Sequence, residues 1–256
     1  MGCFCFAGIG VEKDEVRAVK FWQRASDAEL PAAINYLGCC FSSGDGIEKD
    51  FQKAAALYQR AADAGWLDAF QNLGILYIDG SGVEKDLKKG EELTLKVAEQ
   101  GDAVANNTIA EYYQEDTFGE LNLSKAIHHF EKAAQLGHVA SLVELARIYE
   151  GEEDEEKAAE YFTQAAERRH PTAQVTLGLW ETEGRVGPVP NLHKAFHWFS
   201  LAADQGKAKG FAYLRQMYLD GEGVEKNTEK GMELIQSAAA KNNPGFSVTA
   251  VLSQPL

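Results

Sequence analysis

The segment Gly44-Asp45-Gly46-Ile47-Glu48-Lys49-Asp50 recurs along the chain with only small changes. Related heptapeptides begin at Gly8, Gly80 and Gly221, and the first three copies lie 36 residues apart. A fixed period of this length is typical of proteins that stack one supersecondary unit many times. The heptapeptide therefore predicts a repeat architecture for the chain.

A basic residue followed by Ala or Gly comes three positions after the Asp or Asn that ends each unit's loop. The seven basic residues are Arg17, Lys53, Lys89, Lys125, Lys157, Lys194 and Lys230, with spacings of 36, 36, 36, 32, 37 and 36 residues. The shortened unit carries the acidic stretch 150–156 in place of its glycine loop, and the next unit has a longer loop with Pro188 and Pro190. Because the changes fall in loops, the helices are expected to keep one register.

The first helix of each unit has Ala, Leu, a small residue and an aromatic residue at offsets that lie on one helical face. Two examples are Ala33, Leu37, Gly38, Phe41 and Ala69, Leu73, Gly74, Tyr77. This spacing predicts that the four side chains pack inward.

The second helix of every unit follows a residue whose side chain caps free amides well. These residues are Asp14, Asp50, Asp86, Asn122, Asp154, Asn191 and Asn227. The helix then carries large side chains, such as Phe21-Trp22, and closes on an Ala pair such as Ala61-Ala62. Glycines at 65, 101, 137 and 206 are expected to end the helix.

Together these elements resemble the Sel-one-like repeat (SLR) family, which is related to the tetratricopeptide repeats. The resemblance covers roughly residues 1–242 and implies an all-α fold, a right-handed α/α superhelical solenoid of about six and a half helix-pair repeats of near 36 residues. The expected units are 1–31 (partial), 32–67, 68–103, 104–139, 140–171, 172–207 and 208–242. Residues 243–256 are expected to form a tail or a short capping helix.

Three positions depart from the family pattern. Glu181 stands where the first-helix aromatic residue is expected, Arg215 where the small residue is expected, and Leu93-Thr94 where second-helix aromatic residues are usual. These departures leave the local packing open but not the fold.

Composition excludes several kinds of partner. The net charge of −14 and a pI near 4.9 argue against nucleic acid and against an anionic membrane surface, since both attract basic proteins. No apolar run is long enough to span a bilayer, and the N-terminus lacks the basic start of a signal peptide. The four cysteines all lie within the first forty residues, which favours a reducing, cytoplasmic setting.

Other motifs have structural explanations. The glycine loops lack the Gly-Lys-Ser/Thr sequence of a phosphate-binding loop, so we expect turns with positive φ. His193 and His197 are expected to be surface residues, the acidic stretch 150–156 a solvated loop, and Gly2-Cys3 unmodified because Phe6 departs from the acylation motif. The sequence predicts no cofactor and no metal site.

The resemblance also raises one enzymatic alternative, because some cysteine-rich members of the family bind or hydrolyse β-lactams. That alternative predicts a disulfide in each unit, whereas Cys3 and Cys39 occupy equivalent positions about 8 to 10 Å apart, too far for a disulfide. No arrangement of a nucleophile with its base emerges from the sequence. We therefore expect a protein that is not an enzyme.

In the family, first helices line the concave side of the stack. The positions two and three before the small residue are then expected to be free, and in the N-terminal units they give the candidate partner-binding residues Asn35, Tyr36, Gln71, Asn72 and Asn107. Amides both donate and accept, so this row suits an extended peptide backbone, with Tyr36 as an anchor. A solvated helix face is an equally good explanation.

The sequence thus predicts a monomeric scaffold or adaptor that binds a client peptide or domain on its concave surface. A regulatory or host-directed effector subunit of an enzyme complex is the main alternative, and a β-lactam-binding enzyme is a further one.

Overall fold

A computed structural model describes Phe6, residues 12–119 and residues 121–240, with side chains described to residue 234. Thirteen helices and no strand are found in these residues, which confirms the prediction of an all-α repeat solenoid. The predicted start of the first unit and the tail 243–256 lie outside the described residues. In chain order the helices are α1 (Glu15–Asp27), α2 (Pro31–Ser43), α3 (Phe51–Asp63), α4 (Leu67–Asp79), α5 (Leu87–Glu99), α6 (Ala103–Gln114), α7 (Leu123–Gln135), α8 (Val139–Gly151), α9 (Glu155–Glu167), α10 (Pro171–Glu183), α11 (Leu192–Asp204), α12 (Ala208–Asp220) and α13 (Thr228–Ala240).

The chain divides into two compact units, each made of several repeats. We call residues 1–136, with helices α1 to α7, unit 1, and residues 137–256, with helices α8 to α13, unit 2. Within each unit the main contacts of a helix are with the helices before and after it in the sequence. First helices have even numbers (α2, α4 and so on) and second helices have odd numbers. The packing of neighbours in sequence is what a stack of helix pairs requires.

The predicted caps of the second helices are confirmed in all seven repeats. Each Asp or Asn side chain accepts a hydrogen bond of 2.8 to 3.1 Å from the backbone N–H three residues later. That N–H belongs to the repeated basic residue, Arg17 in α1 and Lys in the others. The cap therefore fixes where each second helix begins and, with it, where the basic side chain leaves the helix.

The glycine loops are turns, as predicted. Gly44, Gly80 and Gly221 end first helices with φ of 72 to 89°. The second glycine of a loop lies against the backbone that begins the preceding repeat's second helix: a Cβ on Gly82 would be 2.3 Å from the carbonyl carbon of Phe51. Gly46 and Gly223 make the equivalent approach to Glu15 and Leu192. These glycines thus join successive repeats.

The core alternates small and large side chains between the two helices of a pair. A Cβ on Gly38 of α2 would be 2.7 Å from the ring of Tyr58 on α3, and one on Gly178 of α10 would be 2.4 Å from Phe199 on α11. The repeated Leu or Ile is buried in each first helix: Leu37, Leu73, Ile109, Leu145, Leu177 and Leu214. At Gly38 and Gly178 the lack of a side chain therefore allows the two helices of the pair to pack closely.

A repeated contact joins the basic residue of five second helices to the aromatic residue of the first helix in the same repeat. The Lys ammonium group lies over the aromatic ring in five repeats. The pairs are Lys53 over Phe41 (5.4 Å to the ring centroid), Lys89 over Tyr77 (4.2 Å), Lys125 over Tyr113 (4.6 Å), Lys157 over Tyr149 (4.6 Å) and Lys230 over Tyr218 (5.6 Å). Such cation–π contacts are worth about 0.5 to 2 kcal/mol each. We call this series the lysine–aromatic ladder.

The three departures from the repeat pattern are accommodated locally. Glu181 is buried where the ladder lacks its ring, and Lys194 lies 3.6 Å from its carboxylate, so an ion pair replaces the cation–π contact. Buried Thr94 donates to a carbonyl one turn earlier (3.0 Å). Arg215 faces Gly231 of α13, where an added Cβ would be 3.3 Å from the Arg215 carbonyl oxygen. Glu181 and Thr94 therefore keep a polar partner in place of the usual apolar contact.

Candidate partner-binding face

The first helices of unit 1 (α2, α4 and α6) turn their Ala, Leu and small positions toward the second helices. The opposite side of each first helix is the one available to a partner. The residues two positions before the small residue lie on that side, and they are the exposed Tyr36 and the half-buried Asn72 and Thr108. We call this surface the first-helix face of unit 1.

Tyr36 is the prominent side chain of this face. It is 40% exposed, yet its ring stacks on Trp22 of α1 with centroids 5.5 Å apart and planes 19° from parallel. Trp22 is itself buried and contacts Phe6 at 5.4 Å. The stack on Trp22 orders the Tyr36 ring while much of the residue stays exposed, so the ring is held ready for a contact.

The exposure predicted for Asn35 is wrong, because its side chain is only 3% exposed. Its Oδ1 accepts a hydrogen bond from Nδ2 of Asn72 at 3.1 Å, which links α2 to α4. Nδ2 of Asn72 also lies 3.7 Å from the sulfur of Cys39. The physical reason is the contact between α2 and α4, which covers Asn35 and gives its amide oxygen a partner. Asn35 therefore orients Asn72.

The exposure predicted for Asn107 is wrong as well. Its side chain is 8% exposed and donates to Oε1 of Glu111, one turn later on α6, at 2.9 Å. Gln71 is half-buried. The structure thus brings Asn35, Tyr36 and Asn72 together at one end of the face but does not present a continuous row of exposed amides. A partner-binding role for the five residues stays a prediction.

One polar cluster beside this face joins two repeats. Glu91 of α5 accepts from the hydroxyl of Tyr113 on α6 and from Nζ of Lys125 on α7 (3.0 Å). Burial of Glu91 opposes its ionisation, but these hydrogen bonds and the Lys125 charge outweigh it and lower the pKa of the carboxyl. Burial and the Glu91 carboxylate raise the pKa of Tyr113 to about 12. At neutral pH Glu91 and Lys125 are therefore charged, and Tyr113 keeps its proton.

A second buried cluster holds a histidine in its neutral form. Asn106 donates from Nδ2 to the carbonyls of Ala98 (2.8 Å) and Asp102 (2.9 Å), so its Oδ1 accepts from Nδ1–H of His129 at 3.0 Å. Burial and the nearby cationic side chains of α7 lower the pKa of His129 to about 4. Sequence reasoning missed this pair, because only the fold brings residues 106 and 129 together.

Other candidates from the sequence have ordinary surroundings. His193 and His197 are exposed, as predicted. Within residues 12–119 and 121–240, no three His, Cys, Asp or Glu side chains lie close enough together to hold a metal ion. In the acidic stretch, Glu150 and Glu155 both pair with Arg185 (3.2 and 3.0 Å).

The described cysteines are poor candidates for a nucleophile. Cys39 and Cys40 are free thiols. Burial raises the pKa of both, that of Cys40 to about 12, so each is a thiol and not the reactive thiolate at neutral pH. Cys3 and Cys5 lie outside the described residues. None of the described helices is both long and apolar enough to cross a membrane.

Stacked helix pairs with a repeated cap, loop and core define an α-helical repeat protein, a class whose extended surfaces bind other proteins. The family model of the Sel1 repeat matches residues 1–30, 31–66, 71–102, 103–138, 139–170, 171–207 and 210–243. The chain therefore belongs to the Sel1 repeat family, as the resemblance indicated. Sel1 repeat proteins generally mediate protein–protein interactions, and the scaffold is generally non-enzymatic.

Individual relatives and solved structures resemble the chain in sequence and in fold. The chain is 32% identical over 127 residues to the chitin synthase regulator SKT5 of Saccharomyces cerevisiae, covering 46% of this chain and 18% of SKT5. It thus spans less than a fifth of that relative. A Sel1 repeat protein from Oxalobacter formigenes superposes with a TM-score of 0.69 at 28% identity, covering 94% of this chain and 71% of that one. A protective antigen of uropathogenic Escherichia coli gives 0.52 at 26%, covering 94% and 60%.

Proposed function

We propose that the chain is a non-enzymatic scaffold or adaptor that binds a client peptide or domain on the first-helix face of unit 1. The observation that carries the proposal is Tyr36, a large aromatic ring that is exposed and already held in place by Trp22. Tyr and Trp side chains dominate the energy of many protein interfaces. A ring that is ordered before binding loses little conformational entropy when a client covers it.

Asn72 supplies the polar part of the proposed site. Its amide is oriented by the bond to Asn35, and an amide next to an aromatic anchor suits the alternating donors and acceptors of a peptide backbone. In this proposal Asn72 contacts the client, while Asn35 and Asn107 act as positioning residues from within the helices. Gln71 lies at the edge of the site.

A regulatory subunit of an enzyme complex is the second candidate function. Its specific support is the 32% identity to a chitin synthase regulator over 46% of this chain. The two functions are compatible, because a regulator also works by binding a partner protein. They differ in whether the partner is an enzyme whose activity changes on binding.

The test uses a defined probe selected against the full chain. Binders are taken from a displayed library of random twelve-residue peptides, one enriched peptide is synthesised, and its Kd is measured by calorimetry. Tyr36→Ala is expected to raise Kd by about ten-fold or more, and Asn72→Ala by about ten-fold. Thermal unfolding of each variant accompanies the titration.

The control variants lie on the second helices, where Lys20 and Gln52 are exposed. Lys20→Ala and Gln52→Ala are expected to leave Kd unchanged. The proposal is wrong if selected peptides bind Tyr36→Ala as tightly as the parent chain, or if the second-helix variants abolish binding.

A further inference from the structure

The turns that lead from one repeat to the next in unit 1 carry exposed aliphatic side chains. These turns are residues 27–31, 63–68 and 99–104, and each connects a second helix to the following first helix. Leu30, Leu67 and Val104 lie in them, one per turn, with 41 to 59% of each residue exposed. Because equivalent turns of stacked repeats lie at one edge, the three side chains share that edge, although they stand at three successive positions of the turn (N-cap, N1 and N2). We call this surface the turn edge of unit 1.

The same turns are acidic. They contain six carboxylates and no Lys or Arg: Asp27, Glu29, Asp63, Asp68, Glu99 and Asp102. Glu29 pairs with Arg60 (2.8 Å), and Asp102 caps α6. Apart from Glu29, none of these carboxylates has an ion pair within the described part of the chain; Asp27 and Asp63 accept only from the neutral Gln23 and Gln59. The last turns of the three second helices add the basic residues Arg24, Arg60 and Lys96, against six carboxylates in the turns. The turn edge therefore joins exposed aliphatic side chains to a net negative charge.

Unit 2 provides an internal comparison. Its equivalent turns, 167–172 and 204–209, contain four cationic residues (Arg168, Arg169, Lys207 and Lys209), two carboxylates and no exposed large aliphatic side chain. The turn geometry is nevertheless kept: Arg169 adopts φ of 65° where Gly65 has 80°. The fold thus does not require exposed aliphatic residues or excess carboxylates in a turn. Their presence in all three turns of unit 1 calls for another cause.

We propose that the turn edge of unit 1 binds a cationic amphipathic segment of a partner protein. Neighbouring helices are spaced about 8 to 10 Å apart, which is close to the rise of two helical turns. A helix of about fifteen residues would therefore span the three turns and could turn an apolar face toward Leu30, Leu67 and Val104. Lys or Arg residues beside the apolar ones would meet the carboxylates, among them Asp63 and Asp68. This surface is separate from the first-helix face.

The experiment measures binding of labelled fifteen-residue probe peptides to the full chain by fluorescence anisotropy. One probe is an amphipathic helix of Leu and Lys, the second has the same composition in an order without an apolar face, and the third replaces each Lys by Glu. The first probe is expected to bind, and the other two at least about ten-fold more weakly. Equal binding of the first two probes would overturn the proposal.

Variants locate the binding site. Leu30→Ser, Leu67→Ser and Val104→Ser, combined in one chain, are expected to raise Kd at least about ten-fold, and Asp63→Asn with Asp68→Asn several-fold. The matched controls are Val16→Ser with Val189→Ser, and Asp79→Asn with Glu84→Gln, which change exposed aliphatic and acidic residues elsewhere. Equal losses of affinity in the control and edge variants would reveal only a general attraction of the probe to an acidic protein and would overturn the proposal.

Two further readouts separate the alternatives. Light scattering on the chain without probe is expected to give a monomer; a dimer that the Leu30, Leu67 and Val104 substitutions dissolve would make a second copy the occupant and would overturn the proposal. Tyr36→Ala is expected to leave the binding of the Leu–Lys probe unchanged. Failure of this inference and failure of the proposed function are therefore distinguishable.

Discussion

At the scale of single residues, the lysine–aromatic ladder explains why the basic residue of each second helix recurs. The cap places Lys89 at a fixed position, and its Nζ lies over the Tyr77 ring and donates to the Tyr77 hydroxyl at 2.6 Å. In the repeat that has Glu181 in place of the aromatic residue, an ion pair with Lys194 replaces the cation–π contact. The sequence revealed the recurrence, but only the pairing of the two helices revealed its partner.

Burial changes the expected cost of substituting the amides. Replacing an exposed amide side chain by Ala has little effect on stability. Asn35→Ala would remove the acceptor of Asn72 from a buried site, so we expect a loss of about 1 to 3 kcal/mol in the free energy of unfolding. Chemical denaturation measures this loss, and Tyr36→Phe, which keeps the ring on Trp22, is the control with little change. A fully stable Asn35→Ala chain would show that the bond is not structural.

His129 predicts a specific dependence of stability on pH. Its pKa is about 4 in the folded chain and about 6.5 when unfolded, so between these values the unfolded chain binds more protons. The contribution of His129 is complete above pH 6.5 and is lost as the pH falls toward 4, by about 3 kcal/mol at the lower end. Thermal midpoints measured from pH 7 to pH 4 should therefore fall less in His129→Gln than in the parent chain, relative to each variant's value at pH 7.

The control for this prediction is His197→Gln, since His197 is exposed. It is expected to keep the pH dependence of the parent. Two other groups add to the background: His170, whose pKa is lowered by burial and by Lys207 and Arg147, acts in the same direction, and the lowered pKa of Glu91 contributes a loss at lower pH still. An identical pH dependence in His129→Gln and the parent would contradict the neutral, buried imidazole.

At the scale of helices and turns, local signals were enough to place the elements. Each cap residue, such as Asp50, acts within three residues of itself, and each loop glycine, such as Gly80, determines its own φ. These features depend only on nearby sequence and were predicted. The burial of Asn35 and Asn107 was not, because it depends on the helices that pack around these positions in the folded chain. The candidate site was therefore predicted in its position along the helices but not in which residues face solvent.

The loop glycines allow a matched test of the contact between repeats. Gly82 and Gly101 both have positive φ (71 and 80°), but an added Cβ would be 2.3 Å from the Phe51 backbone at Gly82 and would meet nothing within 4 Å at Gly101. Gly101→Ala is expected to cost only the backbone strain, about 1 to 2 kcal/mol. Gly82→Ala is expected to cost several kcal/mol, because the repeats must also move apart. Chemical denaturation measures the free energy of unfolding of both variants. Equal losses of this free energy would mean that the loop does not hold the repeats together.

At the scale of the whole molecule, stability is expected to be built from repeats and their interfaces, because each helix packs mainly on its sequence neighbours within its unit. Removing a complete repeat should then leave the remaining stack folded. Removing part of a second helix should instead expose the core that this helix forms with the first helix of its own repeat. The last repeats of unit 2 offer a direct comparison of the two cases.

Two truncations of the chain, after Gly206 and after Phe196, differ in whether they keep Phe199. It is buried against Gly178 of α10 and stacks on Tyr213 of α12 at 4.7 Å. A chain that ends at Gly206 loses α12 and α13 but keeps α11 complete, so Phe199 still fills the space beside Gly178. A chain that ends at Phe196 loses Phe199 together with the buried Ala pair that follows it. Loss of a buried phenylalanine costs about 3 to 5 kcal/mol, which corresponds to roughly 10 °C for a chain of this size.

We therefore expect the chain ending at Gly206 to keep its helical circular dichroism per residue and a cooperative thermal transition. The chain ending at Phe196 is expected to melt roughly 10 °C lower than the chain ending at Gly206. Both are compared with the full chain at equal concentration, and light scattering checks that neither aggregates. Equal damage from the two truncations would mean that the repeats do not contribute one by one, and the description of the chain as a stack of separately stabilised helix pairs would have to be abandoned.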